Sequence, residues 1–418
     1  MAIQEPLQQG AAGAAGGYQE NGCVVHCGSI TQMSTPSEPQ KQTPIRLDFL
    51  DALRGLAALY VMVYHMVLLP QSKPLLPRWV EIVAHNGGMG VTLFFVVSAF
   101  SLFFTMPLRL REPWPWVSFY LHRFFRIAPL FYVWILLTVW RDHWYFGATH
   151  SWREIASSAS FLFNLIPQGQ EGFVWASWTI GIEMLFYAVF PLFYLYARNR
   201  WQAITLTLAL LIFWTIVQGL VAYFPSDPKS QQMFLKWTFL RHLPVFACGA
   251  IAYHLLLEQG RLIEKSRDFA VALMMAAAAL WVALVNGWLP AIFGDLYYWQ
   301  AIVFLMLLLG LGWVPVGIAV NRFTIFLGRI SYSFYLSHPT VILLISPAYA
   351  WIYRHNLGLT ISFLCCLLLT LASVVCVSEI TYRWVELPGM QLGKKLNLRI
   401  RTFGQRLAGG VSANNGAA

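Results

Sequence analysis

The chain has 418 residues, of which 58% are hydrophobic and 11% are charged. Soluble domains carry about 25% charged residues, so a water-soluble fold could not bury this much apolar surface. Lipid must cover the excess, and the composition therefore excludes an ordinary soluble enzyme. The net charge of +10 does not indicate nucleic-acid binding, because Lys and Arg accumulate in the cytoplasmic loops of membrane proteins.

Residues 1–45 are rich in Gly, Ala, Gln, Ser and Pro, and we predict a disordered cytoplasmic tail there. Cys23, His26 and Cys27 lie in this tail, but no second ligand pair follows at zinc-finger spacing, so no metal site is predicted. We predict a transmembrane domain over residues 46–388 and a basic cytoplasmic tail over residues 389–418.

Apolar stretches of about 20 residues, long enough to cross a bilayer, recur along the chain. The pattern predicts an all-α fold, a polytopic transmembrane helical bundle of about ten spans. We place the spans near 49–69, 88–105, 124–140, 178–197, 201–224, 239–257, 269–286, 297–316, 324–351 and 359–384. A shorter apolar stretch, 156–166, is predicted to be re-entrant or interfacial. Basic residues are denser in alternate loops, which favours both termini in the cytoplasm.

The first predicted span carries Arg54 and His65, eleven residues apart. A helix places them on one face, roughly 16 Å apart in depth. Asp51 is placed to cap the helix and to pair with Arg54 at i,i+3. A charge at mid-bilayer costs roughly 2.5–3.5 kcal/mol, so such residues usually face protein or water and have a function. The structural alternative is that Arg54 is a snorkelling anchor and His65 a helix-packing residue.

Two further sites place charge near or inside apolar spans. Arg123 and Arg126 stand at i,i+3 at the predicted start of the third span, where paired guanidinium groups suit phosphate. An ordinary positive-inside loop would explain them equally well. Glu183 is a lone carboxylate in the fourth span and needs a cationic or proton-donating partner, for which Arg54 and His65 are the candidates.

The ninth predicted span begins with Ser331 and Tyr332 and contains His338 followed by Pro339. The proline is expected to kink the helix and open a cavity. At the end of the last span, three charged residues and a tyrosine are predicted to form an ionic seal at the cytoplasmic boundary, with a structural role. They are Glu379, Tyr382, Arg383 and Glu386.

These segments together resemble acyltransferase family 3, a family of bacterial multi-pass membrane O-acyltransferases. The resemblance rests on the Leu-Asp-Xaa-Leu-Arg start with Arg54 and His65, and on the segment from Gly90 to Phe100 around Ser98. It continues through the Arg123–Arg126 pair, the segments around Glu183 and His338, and the closing Glu386-Leu-Pro388. Two positions depart from the family pattern: Ala99 replaces a glycine, and Ser337 replaces an aromatic residue.

The resemblance implies transfer of an acyl group, commonly acetyl, from cytoplasmic acyl-CoA to a sugar hydroxyl across the membrane. It implies a bacterial cytoplasmic (inner) membrane location and a glycan acceptor such as exopolysaccharide or O-antigen. On this view Arg123, Arg126 and Arg54 hold the acyl-CoA, and His65 is the general base or a transient acyl carrier. Glu183 fixes the imidazole tautomer or balances Arg54, and His338 is a second proton-handling residue.

Two other functions fit the same buried charges. The first is a transporter or flippase for a lipid-linked sugar, in which Arg, His and Glu form a proton relay. No inverted repeat or matching pair of broken helices supports it. The second is a non-catalytic membrane scaffold whose buried charges lock helices together.

Overall fold

The computed structural model describes residues 47–70, 74–224, 227–258, 261–263 and 265–414. The tail predicted over residues 1–45 lies outside these ranges. Fifteen α-helices make up nearly all of the described fold. They are α1 (Asp48–Leu68), α2 (Arg78–His85), α3 (Gly90–Arg109), α4 (Pro115–Phe146), α5 (Trp152–Ala159), α6 (Trp178–Tyr196), α7 (Arg200–Tyr223), α8 (Pro228–Trp237), α9 (Phe239–Leu256), α10 (Arg267–Val285), α11 (Tyr297–Trp313), α12 (Arg322–Arg329), α13 (Ser331–Arg354), α14 (Leu359–Thr381) and α15 (Leu387–Asn414).

Short elements join these helices. The strands β1 (Leu257–Glu258) and β2 (Arg261–Leu262) pair antiparallel after α9. A 3₁₀ turn at Gly87–Met89 precedes α3, and another at Phe163–Leu165 lies in the loop between α5 and α6. A π-helical segment, Tyr382–Glu386, joins α14 to α15. Helix ends follow local signals: Pro115 and Pro228 occupy first turns, and Asn199, Ser266 and Asn321 cap with their side chains.

Within the described ranges, eight helices are long and apolar enough to cross a membrane. Each of the ten sequence-predicted spans overlaps a helix, but two differ from the rest. The helix α11 has only 17 residues, and the stretch predicted as one span, 324–351, is divided into α12 and α13 at Ile330. The segment predicted as a basic tail forms the helix α15, which packs against α4.

The helix α1 lies inside the bundle, in contact with α3, α11, α12 and α13. It contacts α12 without intervening side chains, because both helices carry glycine at the crossing. A Cβ atom on Gly55 would overlap the carbonyl oxygen of Thr324, and one on Gly328 would overlap that of Asp51. This close approach fixes the depth and rotation of α1, and with it the positions of Arg54 and His65.

The departure at Ala99 is compensated by a neighbouring helix. Ala99 is fully buried and faces Gly249 of α9, where an added Cβ would lie 2.6 Å from the Ala99 Cβ. Gly249 on α9 has no side chain at this point, and this leaves space for the methyl group of Ala99. The contact between α3 and α9 keeps its close spacing.

We expect Gly328→Ala to destabilise the protein, because its methyl group has no space between α12 and α1. Overpacking of this kind costs about 1–3 kcal/mol. Thermal unfolding of the purified protein in detergent measures the effect. The matched control is Gly219→Ala on α7, where nothing lies within 4 Å of the added Cβ; equal melting temperatures for the two variants would contradict the proposed crossing.

Candidate active site

Three arginines and one glutamate from three helices, α1, α4 and α6, surround a pocket in the bundle, here called the arginine pocket. Its full lining is Arg54, Val91, Phe94, Phe95, Ser98, Arg123, Arg126, Ile127, Thr179, Ile180, Glu183, Tyr187, Ser331, Tyr332 and Tyr335. It is narrow, with a cavity volume of ≈ 80 Å³. The structure therefore brings together Arg54, Arg123, Arg126 and Glu183, which the sequence predicted as site residues.

Arg54 is held by two neighbours on opposite sides. Its Nη1 lies 3.4 Å from Asp51 Oδ1, which confirms the predicted i,i+3 pair. Its Nη2 donates to Ser101 Oγ at 2.7 Å, and that hydroxyl donates onward to the carbonyl of Val97. The guanidinium is thus fixed by α1 and α3 and is only partly compensated by one carboxylate, which suits it to an anionic ligand.

Arg123 and Arg126 do not lie at a helix start as the sequence suggested. The helix α4 begins at Pro115 and runs for 32 residues, so both arginines lie well inside it. The amide groups at the start of α4 therefore take no part in this pocket, to which α4 contributes the Arg123 and Arg126 side chains. Arg123 is oriented by Tyr187, whose ring centroid lies 5.7 Å from its Cζ atom.

Glu183 has partners other than those expected. Its Oε1 accepts a hydrogen bond from Ser98 Oγ at 2.7 Å and another from Tyr187 Oη at 2.5 Å. The expected partners Arg54 and His65 make their hydrogen bonds elsewhere, although Glu183 and Arg54 line the same pocket. Two hydroxyl donors stabilise the carboxylate, because charge-assisted hydrogen bonds replace the lost solvation. Glu183 thus does not fix the tautomer of His65 in this structure.

His65 and His338 contact each other in the interior. His65 Nδ1 lies 3.0 Å from the carbonyl oxygen of Val61 and 3.1 Å from His338 Nε2. A carbonyl can only accept, so the tautomer consistent with both contacts carries its proton on His65 Nδ1. His338 then accepts at Nε2, and the second ring nitrogen of His65, Nε2, is left with its lone pair. That nitrogen is the one able to act as a base.

A second and wider cavity, here called the histidine cavity, contains His65. Its lining is Val61, Tyr64, His65, Leu68, Leu69, Gly88, Val91, Glu171, Gly172, Val174, Trp175, Ala176, Trp178, Lys236, Trp237, Tyr335 and Pro339. Its volume is ≈ 420 Å³, within the usual range of about 300–1,000 Å³ for small-molecule sites. Val91 and Tyr335 belong to the walls of both cavities, so the two adjoin at these side chains.

The end of the helical domain differs from the predicted ionic seal. Glu379 and Arg383 do pair, at 2.5 Å, and Arg383 is 67% exposed. Glu386, however, is 1% exposed and accepts from Ser333 Oγ at 2.7 Å. Glu386 therefore lies against the first turn of α13 and does not join the pair of Glu379 and Arg383. Ser337, the other departure from the family pattern, is buried and bonds Ser378 Oγ at 2.9 Å.

Sequence reasoning did not assign roles to several residues that shape the site. Tyr187 stands four residues after Glu183 on one helix, and that spacing alone could have indicated the contact. Ser98 and Ser101 come from another helix, and only the packing of α3 against α1 and α6 brings them to Glu183 and Arg54. Trp175 and Glu171 lie in an irregular loop, where no periodic signal exists.

The acyltransferase family 3 model, described as an acyltransferase domain, matches residues 47–379 of the chain. The matched range contains every candidate site residue from Arg54 to His338. No curated protein and no solved structure matches the chain at a significant level.

We expect Tyr187→Phe to lower stability by about 1.5–3 kcal/mol, because it removes a hydrogen bond to a charged group. In a Glu183→Gln background the same change should cost only about 1 kcal/mol, since the acceptor is then neutral. Unfolding of the four proteins in detergent gives the coupling. Tyr196→Phe, on the same helix but 48% exposed, is the control. An identical cost in both backgrounds would show that Glu183 is not charged in the folded protein.

Proposed function

We propose that this chain, which belongs to acyltransferase family 3, transfers an acyl group, most simply acetyl, from acyl-CoA to a hydroxyl group of a carbohydrate. The observation that carries the proposal is the contact between the two cavities. One holds three guanidinium groups, the other holds a histidine with a free basic nitrogen, and Val91 and Tyr335 line both. Anion binding and proton transfer thus stand at opposite ends of one path.

The donor enters at the arginine pocket. Arg54, Arg123 and Arg126 bind the phosphates of CoA, since guanidinium groups match phosphate oxygens in geometry and charge. The pantetheine arm is thin and flexible, which suits a narrow passage. It extends past Val91 and Tyr335, so that the thioester reaches the histidine cavity, where the acceptor has room.

His65 then acts as general base. Its Nε2 takes the proton of the acceptor hydroxyl as the oxygen attacks the thioester carbonyl; the C–O bond forms, and the C–S bond breaks. The thiolate leaves and receives that proton from His65, so the products are the ester and free CoA. The imidazolium that forms on the way is stabilised at Nδ1 by the Val61 carbonyl and by His338. His338 is therefore a positioning residue in this mechanism.

Charge distribution supports a cytoplasmic location for the arginine end. The helix α6 begins at Trp178 in the histidine cavity and ends beyond Glu183, so Arg198 and Arg200 lie at the arginine end. The helix α15 packs on α4 near Phe125 and adds the exposed Lys394 and Lys395. By the positive-inside rule this end faces the cytoplasm, where acyl-CoA is made, and the histidine cavity opens to the other side of a cytoplasmic membrane.

The test of the proposal uses the purified full chain in lipid nanodiscs with radiolabelled acetyl-CoA and a panel of carbohydrate acceptors. An acyltransferase forms labelled ester or, without acceptor, slowly hydrolyses the donor. A flippase or a scaffold would leave acetyl-CoA intact, and that result would refute the proposed activity.

His65→Ala should lower kcat by about 10²–10⁴-fold, the usual contribution of a general base, with little change in donor KM. His338→Ala should lower kcat less, because His338 touches His65 rather than the acceptor. The matched control is His355→Ala. His355 also bonds a backbone carbonyl of its own helix, that of Trp351, at 2.9 Å, and it lines neither cavity. Undiminished turnover in His65→Ala would rule out the assigned base.

Arg123→Gln should raise the dissociation constant for CoA about 10–100-fold, because one charge-assisted contact to phosphate is lost. Its effect on acceptor KM should be small. Calorimetric titration of CoA measures donor binding directly, without turnover. Arg153→Gln on α5, an exposed arginine at the opposite end, is the control; equal affinities in the two variants would remove Arg123 from the donor site.

A further inference from the structure

The histidine cavity is rich in aromatic side chains. Trp175, Trp178 and Trp237 line it together with Tyr64, and Glu171 adds one carboxylate. The Trp178 and Trp237 rings pack with centroids 4.6 Å apart, and Tyr64 packs edge-on against His65 at 5.1 Å. Flat apolar faces and a hydrogen-bond acceptor thus surround the space beside the proposed base.

Trp175 is held in place by a buried cation. The Arg141 guanidinium lies 4.3 Å from the centroid of the indole ring, and Arg141 is 5% exposed. Its Nε donates to Asp142 Oδ1 at 2.7 Å and its Nη1 to Thr340 Oγ1 at 2.8 Å. The other oxygen of Asp142 lies 2.9 Å from His150 Nε2. The guanidinium, held by Asp142 and Thr340, therefore packs against one face of the indole and supports it.

The loop that carries Trp175 is itself tightly built. The side-chain amide of Asn164 bonds the carbonyls of Gln170 and Trp237 and accepts from the Phe239 amide at 2.9 Å. Ala176, next to Trp175, has a φ of 64°, a conformation that costs a non-glycine residue free energy. Such conformations persist only where the surroundings impose them, and they concentrate at functional sites.

The same guanidinium also connects the loop to the histidine pair. Thr340, which accepts from Arg141, is two residues after His338 on α13, and His338 contacts His65. One hydrogen-bonded group therefore connects the indole to α13, the helix of His338, whose imidazole contacts the proposed base His65. If Trp175 were only an interfacial membrane anchor, its ring would need no such connection to the histidine pair.

We propose that Trp175 and Glu171 form the acceptor subsite for a pyranose ring, with Arg141 as the residue that positions Trp175. The inference rests on the proposed function. The apolar C–H face of the sugar stacks on the indole, and its hydroxyl groups donate to the Glu171 carboxylate. A rigid aromatic platform binds at low entropic cost. The hydroxyl that points to His65 Nε2 receives the acyl group, its proton passing through His65 to the departing thiolate.

The decisive variant is Trp175→Ala in the full chain, with acetyl-CoA as donor and two probes: methyl glucopyranoside and the acyclic polyol glucitol. The wild type should prefer the pyranoside. Trp175→Ala should raise the pyranoside KM about 10–100-fold, as for loss of a buried aromatic contact, and abolish the preference, with donor KM unchanged. Trp175→Phe, which keeps a flat ring, should retain most of the preference for the pyranoside. Trp144→Ala, near the end of α4 that carries Arg141 and 73% exposed, is the control.

Arg141 and Trp175 should act as one unit. Arg141→Gln should raise the acceptor KM as Trp175→Ala does, and the double variant should be no worse than either alone. A purely structural arginine would instead lower the melting temperature and kcat and leave the acceptor KM unaltered.

The experiment distinguishes failure of the proposed function from failure of the acceptor subsite. A wild type that consumes no acetyl-CoA with any acceptor refutes the proposed function and this subsite with it. A wild type that acylates pyranoside and glucitol equally, or a Trp175→Ala protein with unchanged acceptor KM, refutes the subsite alone.

Discussion

The site depends on the fixed rise of one helix, α1. Eleven residues separate Arg54 from His65, and at about 1.5 Å per residue they stand roughly 16 Å apart along the axis. The glycine crossing with α12 prevents α1 from sliding or rotating. The proposed donor-binding and proton-transfer groups at the two ends of α1 are therefore held at a constant separation, which a long, thin donor such as the proposed acyl-CoA can span.

Hydrogen bonds from hydroxyl groups and pairing with other side chains offset the desolvation free energy of these charges in a membrane domain. Glu183 is solvated by Ser98 and Tyr187, and Arg54 by Asp51 and Ser101. None of these partners closes the pocket, since all three arginines still line it. The same principle operates at Arg141, where Asp142 balances the charge and the indole of Trp175 covers one face of the guanidinium.

Much of the architecture could be predicted from the sequence. Long apolar stretches identified the helices, because lipid demands about 20 apolar residues for each crossing, and the rarity of charge inside them identified Arg54, His65, Glu183 and His338. Spacing within one helix predicted the Asp51–Arg54 pair. The break at Ile330 and the early start of α4 were missed, because apolar content does not record where a continuous apolar stretch changes direction.

Contacts between side chains of different helices could not be predicted from the sequence. The pairing of His65 with His338, 273 residues apart, and of Ser98 with Glu183 depends on how the helices rotate about their axes. That rotation is set by packing at positions such as Gly249 and Ala99, which no single-sequence pattern records. The loop that carries Trp175 has its course fixed by Asn164, and a lone asparagine in a sequence carries no such information.

The central claim is that one passage leads from the arginine pocket to the histidine cavity past Val91 and Tyr335. An experimental structure of the protein with a non-hydrolysable acetyl-CoA analogue tests it most directly. We expect the phosphates among Arg54, Arg123 and Arg126, the pantetheine arm between Val91 and Tyr335, and the acyl carbon within reach of His65 Nε2. An analogue bound with its acyl end outside the histidine cavity, or with Val91 and Tyr335 closed across the path, would contradict the account.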